Sequence, residues 1–282
     1  MQSAVWGPSM WGFLHDWSFA VAARAPPDAP IPVSAVRLMT ALSGVLPCTY
    51  CRHSYDIFLG SLGPLELVKA RDFPRFVYDL HELVNDKLDM QHFKGVMRRG
   101  RRITFDTLVT RQQLKRGGDA GGGITAAVVL HLLFVLAYNY PEDDDAAASP
   151  PQQQPGRDTR PPHVRRQYYR EWFSVLPAAL RDAGGGGVLP DALEAVWVAS
   201  CSAPTAPVCD ALRAKLPDTA VRLILGLQPE FATQHPSRAA VFALVTLMRG
   251  LVHAETTQCL DSLQAFAAES VALARHFGAA AV

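Results

Sequence analysis

Apolar residues in this 282-residue chain return at steps of three and four, and no run alternates apolar with polar residues over more than a few positions. Period-two alternation is what a half-buried strand requires, and the three-to-four step is what a helix face requires. The pattern therefore predicts an all-α fold. Trp11, Leu14, Trp17, Ser18 and Val21 mark a first helix over about Pro8–Ala23. Val36, Met39, Leu42 and Val45 mark a second over Val33–Leu46. A third runs from Cys48 through Tyr55 and Phe58 to Leu59. After a short helical turn in Pro64–Ala70, the stripe Phe73, Phe76, Val77, Leu80, Val84 and Leu88 marks a fourth. Thr104–Arg116 is a shorter fifth.

Proline and glycine place the breaks. Four prolines interrupt Ala25–Pro32, and Gly117–Gly123 is a flexible connector. Ile124–Tyr140 is seventeen residues long and holds one histidine, His131, and no formal charge. A membrane span needs roughly 20 apolar residues. Length and the central histidine thus favour a buried core helix over a membrane segment. Pro141–Pro162 holds six prolines and the acidic run Glu142–Asp145, and it reads as a linker or long loop. Beyond it the helical pattern resumes over Val164–Ala183, Pro190–Ser200, Pro207–Leu216, Asp218–Leu227, Ser237–His253 and Thr256–Phe277. The expected divisions are 1–118, a linker 119–163 that includes the apolar helix, and a helical part 164–282 of unassigned role.

Bulk charge narrows the function. The formal net charge is +1, so nothing in it favours nucleic acid or an anionic membrane. Five cysteines are too few for a disulfide scaffold in a chain of this length. No basic stretch followed by an apolar one opens the sequence, so the expectation is an intracellular protein without a secretory signal.

Chemistry concentrates in Leu46-Pro47-Cys48-Thr49-Tyr50-Cys51-Arg52. Two cysteines three positions apart at a helix start can form a disulfide, exchange with one, or supply half a metal site. A zinc site built on one such pair usually carries a second paired motif, and none is present, so no metal is expected. A thioredoxin setting needs βαβ units, which this pattern lacks. Two other groups place aromatic or imidazole side chains on helix faces. One is Trp6-Gly7-Pro8-Ser9-Met10-Trp11-Gly12-Phe13-Leu14-His15, and the other is Leu80-His81-Glu82-Leu83-Val84-Asn85-Asp86-Lys87-Leu88. Singly, Trp11 or His81 reads as ordinary core. Together with the cysteines they can line a pocket for a flat aromatic ligand, with Gly7 allowing close approach.

The motifs WGxxxWxxLH, PCxxC and LHxxVNxKL, in this order and spacing, resemble the Erv/ALR family of FAD-linked sulfhydryl oxidases over about Trp6–Leu88. An oxidase part followed by a helical part is similar in architecture to the oxidases of large DNA viruses, which would put the chain in a host cytoplasm or a virion. The resemblance implies a four-helix bundle with a short fifth helix, usually a homodimer, holding FAD. It implies that Cys48 exchanges with a substrate thiol or a thioredoxin-like shuttle and that Cys51 lies beside the flavin. Trp11, His15, His81, Asn85 and Lys87 match cofactor contacts, and Gly7 and Tyr55 match pocket positions. Oxygen would be the final acceptor and hydrogen peroxide the product. Pro8 and Glu82 depart from common family residues on the adenine side. No cysteine precedes Cys48, and the downstream cysteine pair of many members is missing after Lys87. A non-catalytic assembly protein with a degenerate oxidase part is the alternative.

In the second half, Cys201 and Cys209 are either a shuttle disulfide or, with Cys259, ordinary buried or loop cysteines; the latter is the plainer expectation. Arg165, Arg166, Tyr168, Tyr169 and Arg170 form a basic aromatic cluster, which a helix face beside an acidic linker explains without nucleic acid.

Overall fold

A computed structural model describes residues 3–92, 102–117, 126–141, 156–184, 190–191, 193–194 and 236–257. Eight α-helices occupy these residues: α1 (Ser3–Arg24), α2 (Val33–Val45), α3 (Thr49–Ser61), α4 (Phe73–His92), α5 (Phe105–Gly117), α6 (Ala126–Tyr138), α7 (Pro162–Asp182) and α8 (Arg238–Thr257). Two single 3-10 turns, Leu65–Leu67 and Ala70–Asp72, lead into α4. No strand occurs among the described residues. An isolated antiparallel bridge, Pro30 to Lys69, ties the proline-rich loop to the segment before α4. The expected helices over Pro207–Leu216 and Asp218–Leu227 lie outside the described residues, as do Cys201, Cys209 and Cys259 and most of Pro190–Ser200 and Thr256–Phe277.

α1 begins at Ser3, five residues before the expected start, and runs through Pro8. As the sixth residue of α1, Pro8 cannot donate to the Ala4 carbonyl, and the helix runs on through this one missing bond. Trp6, Met10, Phe13, Leu14, Trp17 and Val21 form its buried stripe. Phe13 stacks on Trp17 at 5.9 Å, and Trp17 meets Phe73 of α4 edge-on at 5.2 Å. Each such pair adds about 0.5–1.5 kcal/mol beyond area burial. The indole N–H of Trp17 donates to the carbonyl of Ala179 on α7 at 2.9 Å, so its polar atom is satisfied inside the core.

α2 stops at Val45 because Leu46 precedes Pro47 and is held extended, at φ −54° and ψ 135°. Every residue from Ala41 to Val45 is buried. One helix face cannot bury five consecutive residues, so α2 is covered on two sides. α3 packs on one side and α7 on the other. Gly44 makes the second contact possible: a Cβ there would meet Tyr168 of α7 at 2.1 Å. The single O–H of Tyr169 lies between two acceptors, the carbonyls of Val45 at 3.1 Å and Asn139 at 3.0 Å. It therefore joins the ends of α2 and α6. After α7, Gly184 turns at φ +79° with the Arg24 guanidinium against it. Few residues other than glycine adopt that backbone.

α4 lies against α1 and α3, α6 lies against α1, and α8 lies against α6. Helices from both sides of the composition break thus feed one hydrophobic cluster, which includes Leu42, Leu133, Trp172 and Leu244. α5 is fastened to α1 by Lys115 and Gln112, both on the carboxylate of Asp16. Arg102 reaches Glu82, Asp86 and Asp89 along one stripe of α4. Ile124–Tyr140 was expected to be a core helix; its described part is α6, with Leu132, Leu133 and Leu136 fully buried and His131 exposed. Among the described residues no helix is long and apolar enough to cross a membrane.

Candidate functional site

Pro47 and the extended Leu46 deliver the chain to Cys48, which caps α3 at φ −101° and ψ 127°. Its sulfur accepts a hydrogen bond from the backbone N–H of Cys51 at 3.2 Å. The first turn of the helix therefore brings the two sulfurs together. They are joined as a disulfide with a Cα–Cα distance of 5.0 Å. Both cysteines are half-buried at the edge of the core. Tyr50, between them, is exposed. A sulfur at this position feels the partial positive charge of the helix N-terminus, which favours thiolate once the bond is reduced.

The aromatic and imidazole groups meet across α1 and α4. The rings of Trp11 and His81 stack at 4.0 Å with planes 8° apart. His15 Nε2 and His81 Nδ1 share a hydrogen bond of 3.0 Å. His15 is only 8% exposed. Burial holds its pKa down to about 4, against the pull of Asp16, so its imidazole is neutral at pH 7. Among the described residues, one buried polar atom of this cluster lacks a protein partner: His15 Nδ1. Gly7 is buried, yet among the described residues a Cβ added to it would meet nothing within 4 Å.

α4 connects this cluster to the cysteine turn. Six residues after His81, or roughly 9 Å along the helix axis, Lys87 Nζ donates to Ser54 Oγ and to the Tyr50 carbonyl at 3.4 Å. Partial burial draws the Lys87 ammonium below its ordinary pKa. Asn85 donates to Glu82 Oε1 at 2.8 Å. Tyr55, expected at the pocket, faces α2: its hydroxyl donates to the Met39 carbonyl at 2.9 Å, and the side chain is buried. Burial raises its pKa, so it stays protonated. The structure thus groups Trp11, His15 and His81, sets Lys87 against the turn that carries Cys48 and Cys51, and places Tyr55 in the core.

Sequence reasoning missed Arg52, Asp158 and Arg160. Arg52, next to Cys51, is 2% exposed and pairs with Asp158, which is 5% exposed. Asp158 belongs to the stretch read as a linker or long loop, and its backbone N–H donates to the Thr49 carbonyl in the cysteine turn. The available signal was an arginine in the first turn of a helix, where the helix dipole disfavours a cation unless an acid is near.

Trp11, His15, His81 and Lys87 suit a flat, anionic aromatic cofactor: a π-face, one unpartnered buried ring nitrogen, open space at Gly7, and a cation. Among the described residues no three His, Cys, Asp or Glu side chains converge as metal ligands would. Comparison of the chain with protein-family models, with curated proteins and with solved structures finds no match.

Proposed function

We propose that the chain is an FAD-dependent thiol oxidase that makes disulfides in proteins, with α1–α4 as the bundle and α5 as the short fifth helix of the oxidase type. The observation that carries the reading is the Cys48–Cys51 disulfide at the start of α3, in the same helical unit as the Trp11–His81 stack and the neutral His15. A structural disulfide has no need of a helix N-terminus and a half-buried setting, whereas an exchanging one uses both.

In the forward reaction a substrate thiolate attacks Cys48 Sγ. The Cys48–Cys51 bond breaks, and Cys51 leaves as a thiolate. A second substrate thiol resolves the mixed disulfide, so the substrate loses two electrons and the protein pair gains them. The N–H of Cys51 and the α3 N-terminus stabilise negative charge on sulfur during this exchange. The chemistry supplied by bound FAD is acceptance of these two electrons and their delivery to oxygen, with hydrogen peroxide as product. Trp11, His15, His81, Asn85 and Lys87 are the residues that would hold it. Trp11 and His81 offer flat faces, His15 offers a neutral ring nitrogen, and Lys87 offers a positive charge beside the cysteine turn. The substrate side belongs to protein dithiols or a thioredoxin-like shuttle, and the oxidase acts as a homodimer.

The test is turnover of a model dithiol by Cys48→Ala and Cys51→Ala. Each variant should keep flavin absorbance and lose oxidation. Full turnover in either one sinks the mechanism.

A further inference from the structure

The turn that carries the disulfide is gripped from outside by charges that a disulfide turn does not need. Arg52 Nη1 donates to the Leu46 carbonyl at 2.6 Å, and its Nε donates to Asp158 Oδ2. The backbone N–H of Asp158 donates to the Thr49 carbonyl at 3.2 Å. Arg160 holds Asp158 through its own Nε at 2.7 Å and its backbone N–H at 3.2 Å. Arg160 also donates to the Ser43 carbonyl at 2.8 Å and pairs with Asp56 at 3.1 Å. Its guanidinium lies 4.8 Å from the ring centre of Tyr168 on α7. The contacts fall before Cys48, between the cysteines, and after Cys51. Asp158 and Arg160 come from a segment more than a hundred positions downstream.

A buried ion pair is a poor source of stability, because desolvation offsets most of the attraction. Its use is in fixing geometry. Burial alone would push the Asp158 carboxyl up; the bonds from Arg52 and Arg160 outweigh it and hold the group ionised below the ordinary carboxylate range. The two arginines also lie on carbonyls at the C-terminal end of α2, where the helix dipole favours cations. The network is therefore satisfied without any contribution from the sulfur–sulfur bond.

We propose that Arg52, Asp158 and Arg160 clamp the Cys48–Cys51 turn in one shape whether its sulfurs are joined or free, and so stabilise the disulfide against reduction. The inference rests on the pair being redox-active, and it assigns these three as positioning residues. Two thiols held at close range have a high effective concentration toward each other. An unclamped reduced turn samples many conformations, which it must give up each time the bond re-forms. Loosening the clamp therefore favours the reduced form.

The measurement is the equilibrium of the full chain with glutathione under anaerobic conditions, followed by alkylation and mass analysis of the peptide that holds Cys48 and Cys51. In that reaction two glutathione thiols give up two electrons and two protons. The protein disulfide becomes two thiols, and one glutathione disulfide forms. Asp158→Asn and Arg52→Met should each lower the midpoint value of [GSH]²/[GSSG] by about tenfold, equivalent to about 30 mV. The pair of variants separates geometry from charge. Asp158→Asn makes the surroundings more positive and Arg52→Met makes them less so, so a purely electrostatic effect on the thiolates moves the midpoint in opposite directions. Where Arg52→Met fails to fold, Arg160→Met supplies the charge-lowering arm. Opposite signs, or an unchanged midpoint with only a lower melting temperature, overturn the clamp. Flavin and oxygen play no part in this equilibrium. A shifted midpoint in a chain that does not oxidise dithiols therefore counts against the oxidase reading alone.

Discussion

Gly44→Ala is the most discriminating change in the fold, because two opposed effects give it opposite signs. On an exposed helix face, alanine for glycine gains about 1 kcal/mol. In α2 the new methyl would lie 2.1 Å from Tyr168 Cγ, 2.3 Å from its Cβ and 2.6 Å from its Cδ2. Carbon atoms in contact need roughly 3.5–4.0 Å. Either α7 retreats by roughly 1.5 Å or Tyr168 leaves its place under Arg160. Overpacking of this kind costs about 1–3 kcal/mol, and the lost ring–guanidinium contact adds about 0.5–1 kcal/mol. The net expectation is destabilisation by about 0.5–3 kcal/mol. Urea denaturation of the full chain followed by circular dichroism reads it as a lower midpoint at constant slope. In a Tyr168→Ala background the ring is gone but the Cβ at 2.3 Å stays, so the same substitution should cost less without becoming stabilising. A higher midpoint for Gly44→Ala in the otherwise unaltered chain would show that α7 does not cover this face of α2, and the reasoning would fail.

Two further expectations concern the site. Burial holds the His15 pKa at about 4 in the fold against an ordinary 6.5, so the unfolded chain binds the proton first as pH falls. The histidine's contribution is therefore fully present above about pH 6.5. It is lost between there and about pH 4, to a total of about 3 kcal/mol, and changes no further below. The urea midpoints of the parent chain and His15→Gln should converge over that window; parallel curves would contradict the burial argument. Tyr55→Phe removes the bond to the Met39 carbonyl and should cost about 1 kcal/mol of stability while leaving flavin content and turnover unchanged. Loss of flavin on that substitution would return Tyr55 to the cofactor pocket.

What was legible in the sequence was local. The spacing of Trp11, Leu14, Trp17 and Val21 marks α1, and that of Phe73, Phe76, Val77 and Leu80 marks α4, because a helix repeats every 3.6 residues whatever it packs against. Pro47 fixes the end of α2 and the start of α3 for an equally local reason. The partners were not legible. Nothing near Gly44 announces Tyr168, and nothing near Arg52 announces Asp158, since both contacts join residues more than a hundred positions apart. A proline-rich acidic stretch reads as a linker or long loop from composition, and that reading does not show that its Asp158 pairs with Arg52. Tyr55 illustrates another limit: an aromatic one turn after a cysteine pair has the same sequence signature whether it faces a ligand or Met39. In the candidate site, the meeting of Trp11, His15 and His81 was anticipated by motif spacing. The direct stacking of Trp11 on His81 and the suppressed basicity of His15 required coordinates.

As a thiol oxidase, the chain would pass electrons from thiols through Cys48–Cys51 to a bound flavin. The most direct test joins two readings on the purified chain: the visible absorbance spectrum, and oxygen uptake with peroxide release on addition of dithiothreitol. The expected result is a flavin spectrum, with one peroxide formed per dithiol oxidised, and loss of that turnover when either cysteine is replaced. A chain that stays colourless after incubation with FAD and consumes no oxygen contradicts it.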